Sequence, residues 1–331
     1  MRDPDPVPAQ RRLDAAAAVG PPGLSAAQRL AMGSLLRDRQ TATVCRYLRE
    51  AGVSVLVLKG PAIGHWLWPD VPRPYGDADL MVKPLQFEDA EAVPLSHGHT
   101  RTIFPESAGI AVEYYAPDSG HISVDLHRSF RLVGVSPERC WSLLAADARS
   151  LELFGGAVPI PSQVGLAVIV ALHAVWHGVE APRGAEDVRR VVARLDITGW
   201  REAKQLAAAL GCLEAFAAGL HTVREGSELA ARIGLASVSK PEFRLRLGDR
   251  PPTSLAWLDL FSTRRSPREL GSVLLRELVP SAAEMRRQSS RELDSPLALI
   301  LSYAVRLVRL AAAGPRGIVA ARRALSRSCV E

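Results

Sequence analysis

Acidic residues on two short apolar segments are the part of this sequence best suited to chemistry. DADLMV at 77–82 carries Asp77 and Asp79, and HISVDLH at 121–127 carries Asp125. Both segments predict strands, in which successive side chains alternate between faces. Asp77 and Asp79 then share a face, roughly 6.6 Å apart at the usual rise. If the strands are neighbours, three carboxylates converge, and such a cluster suits magnesium bound together with substrate phosphates.

The alternation also separates core positions from polar positions. In the first segment it directs Ala78, Leu80 and Val82 away from the two aspartates. In the second it assigns Ile122, Val124 and Leu126 to the core and His121, Ser123, Asp125 and His127 to the acidic face. Taken singly, Asp77 also fits a strand end or turn, and Asp125 fits an exposed strand position. The metal hypothesis therefore depends on the whole group.

A third segment predicts a turn that binds anions. VSVLVL at 53–58 is wholly apolar and predicts a buried strand. It stops at Lys59-Gly60, and Pro61 opens a predicted helix at the position where proline costs nothing. Backbone N–H groups and the positive end of a helix then face an anion, and Lys59 adds a charge. The spacing is not that of a P-loop, and a Lys-Gly turn is weak evidence alone.

The elements that must position these residues alternate in type. Helical spacing at 26–51 and 84–95, and a helix after Gly60, separate the predicted strands, which predicts an α/β core. Beyond about residue 160 the pattern is mostly helical, at 164–178, 185–196, 200–223, 267–279 and 296–313. We therefore predict three parts. They are a disordered tail at 1–24, an α/β domain at 25–155 and a helical domain at 156–331.

Composition limits the class of protein. The 331 residues, 47% of them apolar, suffice for real cores, and the net charge is +6. Basic residues form no patch of the kind that binds duplex nucleic acid, so duplex nucleic acid is not expected as a partner. Binding of a nucleoside triphosphate explains the positive charge equally well. Four widely spaced cysteines and a Pro-rich start without a signal peptide favour the cytoplasm. The arginines within 296–313 favour a buried helix over a membrane-surface helix, and no transmembrane segment is expected.

Several motifs together resemble a known family. LVLKGPAIGHWLWPDVPRPYGDADLMV is similar to the first conserved block of the uncharacterised nucleotidyltransferase group of the DNA-polymerase-β-like superfamily, which has an LKG turn, an aromatic, an Arg and a D-h-D-h-L-V strand. ISVDLH matches its third-carboxylate strand. LHAVWHG, EDVRRVV and LVPSAAEMRR fit its helical half. The resemblance covers about residues 26–315, although the superfamily at large carries Gly-Ser in its first turn where this chain has Lys59-Gly60.

The resemblance implies a mixed sheet with flanking helices, a helical companion region and transfer of a nucleotidyl group from a triphosphate. Asp77 and Asp79 would hold Mg²⁺ (or Mn²⁺), and Asp125 would complete the site and help deprotonate an acceptor hydroxyl. Lys59, Gly60, Arg73 and His127 would bind the nucleotide. The acceptor is a small molecule, peptide or protein that the sequence does not identify, in a group met near natural-product pathways. The alternative is a non-catalytic nucleotide- or partner-binding module of the same fold, and for Arg73 a solvated loop position.

Two histidines and two tryptophans allow further interpretations. His173 and His177 have the helical spacing that zinc proteases use, but HAVWH lacks their glutamate. They are predicted to pack between helices, bonded to Asp187, with lining of the substrate cleft as the alternative. Trp66 and Trp68 either belong to the core or stack on a base.

Overall fold

The computed structural model describes residues 23–102, 110–115, 123–179, 181–235, 237–248 and 295–326, with the single positions 254, 258, 279, 282 and 285. The predicted tail, except for its last two residues, and the predicted helix at 267–279, except for position 279, lie outside this part of the chain. The division into domains therefore stays a prediction.

The α/β part follows the predicted order with two additional strands and one additional helix. It consists of α1 (Ala26–Glu50), β1 (Val55–Val57), α2 (Pro61–Leu67), β2 (Asp77–Val82), a 3₁₀ turn (Pro84–Gln86), α3 (Phe87–Ser96), β3 (Thr100–Thr102), β4 (Ala111–Tyr115), β5 (Ser123–His127) and α4 (Pro137–Ala145). Its strands form a mixed five-stranded sheet in the order β1-β2-β5-β4-β3, in which only the β2–β5 pair is parallel. The predicted α/β sheet with flanking helices is confirmed.

Local sequence explains where these elements start. Ser25 caps α1 in a reciprocal bond with Gln28, and the helix is followed by Gly52 at a φ of 74°. Pro61 occupies the first turn of α2, as predicted. The strand prediction at 121–127 is confirmed for 123–127, and its first two residues fall outside the described part.

A hairpin and a helical region follow. The hairpin pairs β6 (Arg149–Leu153) with β7 (Gly156–Ile160). The helices are α5 (Gln163–His177), α6 (Pro182–Arg194), α7 (Ile197–Ala209), α8 (Leu213–Leu220), α9 (Arg224–Arg232), α10 (Pro241–Leu247) and α11 (Pro296–Ser326). α5 is almost wholly apolar and lies at the centre of this region, in contact with α6, α7, α8 and α10. The mainly helical second half is confirmed for the described residues.

Two predictions about the helices were wrong. The expected single helix at 200–223 is interrupted at Gly211, whose φ is 67° and which lies against Gly134, so close that a Cβ there would be 3.1 Å from the Gly134 Cα. The helix expected to be buried at 296–313 is largely exposed, with Leu297, Ile300 and Val308 at 77%, 65% and 70% exposure. Among the described helices, each is too short or too polar to cross a bilayer.

The two faces of the sheet are covered differently. Ala78, Leu80 and Val82 belong to one apolar cluster with Val124 and Leu126 from β5. Met81, which shares the other face with Asp79, belongs instead to the cluster built around α5 and the helices that surround it. The predicted alternation is confirmed, and the acidic face is the one that the helical region covers.

Candidate functional site

The parallel pairing of β2 with β5 creates a row of carboxylates across the sheet. Asp79 lies directly opposite Asp125, and Asp125 lies opposite Glu113 on β4. Residues at the same register of neighbouring strands project to the same face, so the three acidic side chains are close neighbours. Asp79 and Glu113 are buried, at 3% and 2% exposure. Buried carboxylates in such a row need counter-charges or protons.

One oxygen of Asp79 has two partners, the ammonium of Lys59 and the imidazole of His127. The Lys59 ammonium lies 2.6 Å from Asp79 Oδ1, and His127 Nε2 lies 3.1 Å from the same oxygen. Burial alone would raise the pKa of Asp79, but the Lys59 charge and the His127 bond outweigh it and hold that pKa well below its usual range. Burial also disfavours charged Lys59, yet Asp79 and Asp77 raise the pKa of the ammonium above its ordinary value. This pair is therefore ionised at neutral pH.

Asp125 has the opposite environment. Burial, and then the charges of Asp77 and Asp79, raise the pKa of Asp125 well above its ordinary value. Its Oδ1 is enclosed and accepts no hydrogen bond from the described residues. An enclosed carboxylate oxygen without a donor is stabilised by a nearby cation or by a proton.

The donor set fits a divalent cation. Asp79, Asp125 and His127 each offer a ligand atom, and these three atoms lie within 4.8 Å of one another. The carboxylate oxygens suit magnesium or manganese, and the His127 imidazole, 3.1 Å from Asp79 Oδ1, is better suited to orient that carboxylate than to ligate magnesium. Asp77 is not in this close group, although its charge acts on Asp125, Lys59 and Arg73. The structure thus brings His127 next to Asp79 and Asp125, whereas the resemblance implied that it binds the nucleotide.

The glycine turn has the geometry that the sequence predicted. Gly60 precedes α2 with a φ of 61°, which only glycine adopts readily. A Cβ at this position would lie 3.2 Å from the Tyr75 ring and 3.5 Å from the Asp77 carbonyl oxygen. The turn therefore packs directly against the start of β2. Lys59, expected to face phosphate, contacts Asp79 and lies 3.5 Å from His173 Nδ1.

Arg73 is neither solvated nor directly paired with the acidic row. It is 5% exposed, and its Nη2 donates to Asp187 Oδ2 at 2.6 Å while its Nε lies 3.1 Å from Asp187 Oδ1. Trp68 Nε1 also donates to Asp187 Oδ1, at 2.8 Å. The solvated-loop alternative for Arg73 is therefore wrong. Among the described residues, none accepts a hydrogen bond from Arg73 Nη1. This nitrogen is therefore available to donate to a phosphate.

Asp187, the predicted partner of the two histidines, accepts hydrogen bonds from Arg73 and Trp68. The rings of His173 and His177 instead meet edge to face, 4.6 Å apart. Burial, and then the positive charge of Lys59, lower the pKa of His173 well below its ordinary value. His173 is therefore a neutral imidazole beside Lys59, and it joins the helical region to the glycine turn.

Sequence reasoning missed two groups that surround the site. Glu113 interrupts the apolar strand AVEYY, and its alternation within that strand would have placed it on the acidic face if β4 had been recognised. Asp38 of α1 accepts bonds from Tyr75 and His65, and so ties the first helix to the loop before β2. Nothing in the local sequence pattern indicates that Asp38 accepts these two bonds.

Comparison with known proteins identifies the family. The model of a family described as uncharacterised nucleotidyltransferase matches residues 24–226, which is more than half of the chain and includes every residue of the acidic row. No curated protein and no solved structure matches the chain.

Proposed function

The chain belongs to the uncharacterised nucleotidyltransferase family, and from this premise we propose that it is a metal-dependent enzyme that transfers a nucleoside monophosphate group from a triphosphate to a hydroxyl. The acceptor hydroxyl belongs to a small molecule, a peptide or a protein. One observation supports this proposal most strongly: the parallel pairing that sets Asp79 opposite Asp125, beside the turn at Gly60. A site for a cation and a site for phosphates are then adjacent.

Each residue of the site has a proposed task. Asp77, Asp79 and Asp125 would hold Mg²⁺ or Mn²⁺, which would supply charge neutralisation for the triphosphate and the acceptor oxygen. Gly60 allows the backbone to approach the phosphates, and Lys59 contributes a positive charge. Arg73, held in place by Asp187, presents its Nη1 to the phosphates. His127 fixes the orientation of Asp79 through its Nε2.

The reaction is an in-line displacement at the α-phosphorus. The acceptor oxygen forms a bond to this phosphorus, the bond to the β-phosphate oxygen breaks, and pyrophosphate leaves. Asp125 accepts the proton of the acceptor hydroxyl, a task that suits a carboxylate whose pKa is raised by its environment. The helical cover over the acidic face excludes water, which limits hydrolysis of the triphosphate.

The direct test is incubation of the purified protein with each α-labelled triphosphate, magnesium and mixtures of candidate acceptors. Pyrophosphate release and label transfer are followed by mass spectrometry. We expect transfer with at least one triphosphate, and loss of transfer with a chelator. Release of phosphate with no labelled acceptor would instead indicate a hydrolase.

A second function is favoured by one contact. Lys59 already neutralises Asp79 at 2.6 Å, so the acidic row is partly compensated without a metal. A non-catalytic module that binds a nucleotide or a protein partner could use this arrangement, and Lys59-Gly60 departs from the Gly-Ser of the superfamily. Triphosphate affinity in chelator distinguishes the two functions, because a binding module would retain that affinity and a metal-dependent enzyme would lose it.

The proposed setting is the cytoplasm, where triphosphates are available, with no duplex nucleic acid as partner. Cys45, Cys140 and Cys212 are free and buried, which fits a reducing compartment. The natural-product pathways near which such enzymes are met remain the proposed source of the acceptor. We also propose that the α/β part (25–155) binds the nucleotide and that the helical part (156–331) contributes to the acceptor side.

A further inference from the structure

Two arginines beside the acidic site lack the carboxylate partners that buried arginines normally have. Arg37 on α1 is 3% exposed, and its Nε is enclosed without a hydrogen-bond acceptor. Arg183 on α6 is partly buried, and its Nε is likewise enclosed and unbonded. Within the described residues neither guanidinium forms an ion pair. Arg73, in contrast, donates to Asp187 from its Nε and its Nη2.

A guanidinium buried without a partner is unfavourable, because arginine does not release its proton in proteins. Burial lowers the pKa of Arg37 even though Tyr75 and Asp77 act in the opposite direction. Burial and the neighbouring charge of Arg73 lower the pKa of Arg183 to about 10. Neighbouring carboxylates therefore act on both guanidinium groups without forming an ion pair, and a bound anion would supply a direct partner.

The two arginines reach the same place from different elements. The charge of Asp77, the first residue of β2, acts on both guanidinium groups. The Arg37 guanidinium lies 5.9 Å from the centre of the Tyr75 ring, the same ring that packs against Gly60. Arg37 is thereby connected to the glycine turn.

Arg183 is connected to the opposite side of the site. It lies four residues before Asp187 on α6, one helical turn from the carboxylate that holds Arg73. The charge of Arg183 also acts on His173, the neutral imidazole beside Lys59. Arg37 and Arg183 therefore approach the acidic site from α1 and from α6.

We infer that Arg37 and Arg183 bind the phosphate oxygens of the triphosphate tail, as two further residues of the nucleotide site. This inference rests on the proposed function. A planar guanidinium donates two parallel N–H bonds to a phosphate. A phosphate would therefore supply the hydrogen-bond acceptors that both unpaired side chains lack. The pair would also stabilise the charge that develops on pyrophosphate as it leaves.

The test measures binding of magnesium tripolyphosphate, of nucleoside triphosphates and of the free nucleosides by calorimetry. The variants are Arg37→Met and Arg183→Gln, and the matched controls are Arg39→Gln and Arg194→Gln, which change exposed arginines on the same two helices. We expect each test variant to weaken tripolyphosphate and triphosphate binding by about tenfold or more, since a charge-assisted pair is lost. Nucleoside binding and both controls should stay within about twofold of the wild-type protein.

The melting temperature without ligand distinguishes a phosphate-binding arginine from an arginine that only stabilises the fold. Removing an unpaired buried charge should leave the melting temperature of Arg37→Met unchanged or higher, whereas a structural arginine would lower it. Folded variants that bind tripolyphosphate as tightly as the wild-type protein would overturn the inference. If Arg37→Met does not fold, Arg183→Gln decides, because Arg183 is less buried. If the wild-type protein binds no triphosphate, the proposed function fails as well.

Discussion

The two faces of the five-stranded sheet differ in what their side chains leave unsatisfied. On one face Leu80, Val124 and Leu126 pack in an apolar cluster and are at most 1% exposed. On the other face buried Asp79 lies opposite Asp125, and one enclosed oxygen of Asp125 has no donor among the described residues. Both faces are made by alternate residues of the same strands.

This difference indicates that stability and chemistry are separated by strand alternation. Burial of apolar side chains stabilises the fold, at about 25 cal/mol per Å². The acidic face destabilises the fold, because adjacent buried carboxylates repel each other. Substitutions on the two faces should therefore have opposite consequences, and four predictions use this contrast.

The largest effect is expected for Asp125→Asn. The isosteric amide should leave packing intact but remove both a metal ligand and the proposed proton acceptor. Loss of proton abstraction alone costs about 10²–10⁴-fold in rate. We expect transfer to fall by at least this factor while the dissociation constant for the triphosphate changes by less than about fivefold. Near-normal turnover by a folded variant would exclude the three-carboxylate mechanism.

Leu80→Ala tests the other face. Leu80 is fully buried, so truncation should lower the free energy of unfolding by about 2–5 kcal/mol. Urea unfolding measures this loss. The folded fraction should bind triphosphate with unchanged affinity, since Leu80 points away from the acidic row. A selective loss of nucleotide binding without loss of stability would contradict the separation of the faces.

Lys59→Met should act in opposite directions on two ligands. The ammonium neutralises Asp79 and so competes with a cation for that oxygen. Removing it while retaining most of the side-chain volume should strengthen binding of Mn²⁺ alone by roughly tenfold and weaken triphosphate more than nucleoside, because a charge near the phosphates is lost. Calorimetry of the three ligands provides the comparison. Equal weakening of triphosphate and nucleoside would show that Lys59 is only structural.

The smallest effect concerns stability and pH. Because burial and neighbouring carboxylates raise the pKa of Asp125, its contribution to stability is present at low pH and is lost as pH rises through that raised value. Asp125→Asn should therefore melt higher than the wild-type protein at neutral pH in chelator, by roughly 2–4 °C per kcal/mol of relieved repulsion. The difference should disappear in acid, where the wild-type carboxyl is protonated. A lower melting temperature at every pH would show that the ionised carboxylate stabilises the fold.

The elements that position the acidic row were predictable because they depend on local pattern. Alternation in 77–82 and 123–127 assigned the faces, and Gly60-Pro61 marked the turn. The sequence could not show that the two strands pair in parallel or that Glu113 joins their row, because β3 and β4 carry too weak a local pattern. Pairing is decided by contacts distant in sequence.

Other features of the site depend on tertiary contacts that no local pattern encodes. Arg73 and Asp187 are 114 positions apart, yet their pairing decides which arginine nitrogens remain for a ligand. The break at Gly211 depends on the approach of Gly134. The predicted domain boundary between residues 155 and 156 falls within the hairpin of β6 and β7, since a Gly-Gly pair fits both a hairpin turn and a linker.

The central claim is that the acidic row binds a divalent cation together with a triphosphate. Calorimetric titration of each nucleoside triphosphate in magnesium, and again in chelator, tests it most directly, with Asp79→Asn as the variant that removes the shared ligand. We predict tight binding of at least one triphosphate in magnesium, and binding at least about tenfold weaker both in chelator and in the variant. Equal heats and affinities with and without magnesium would contradict the claim.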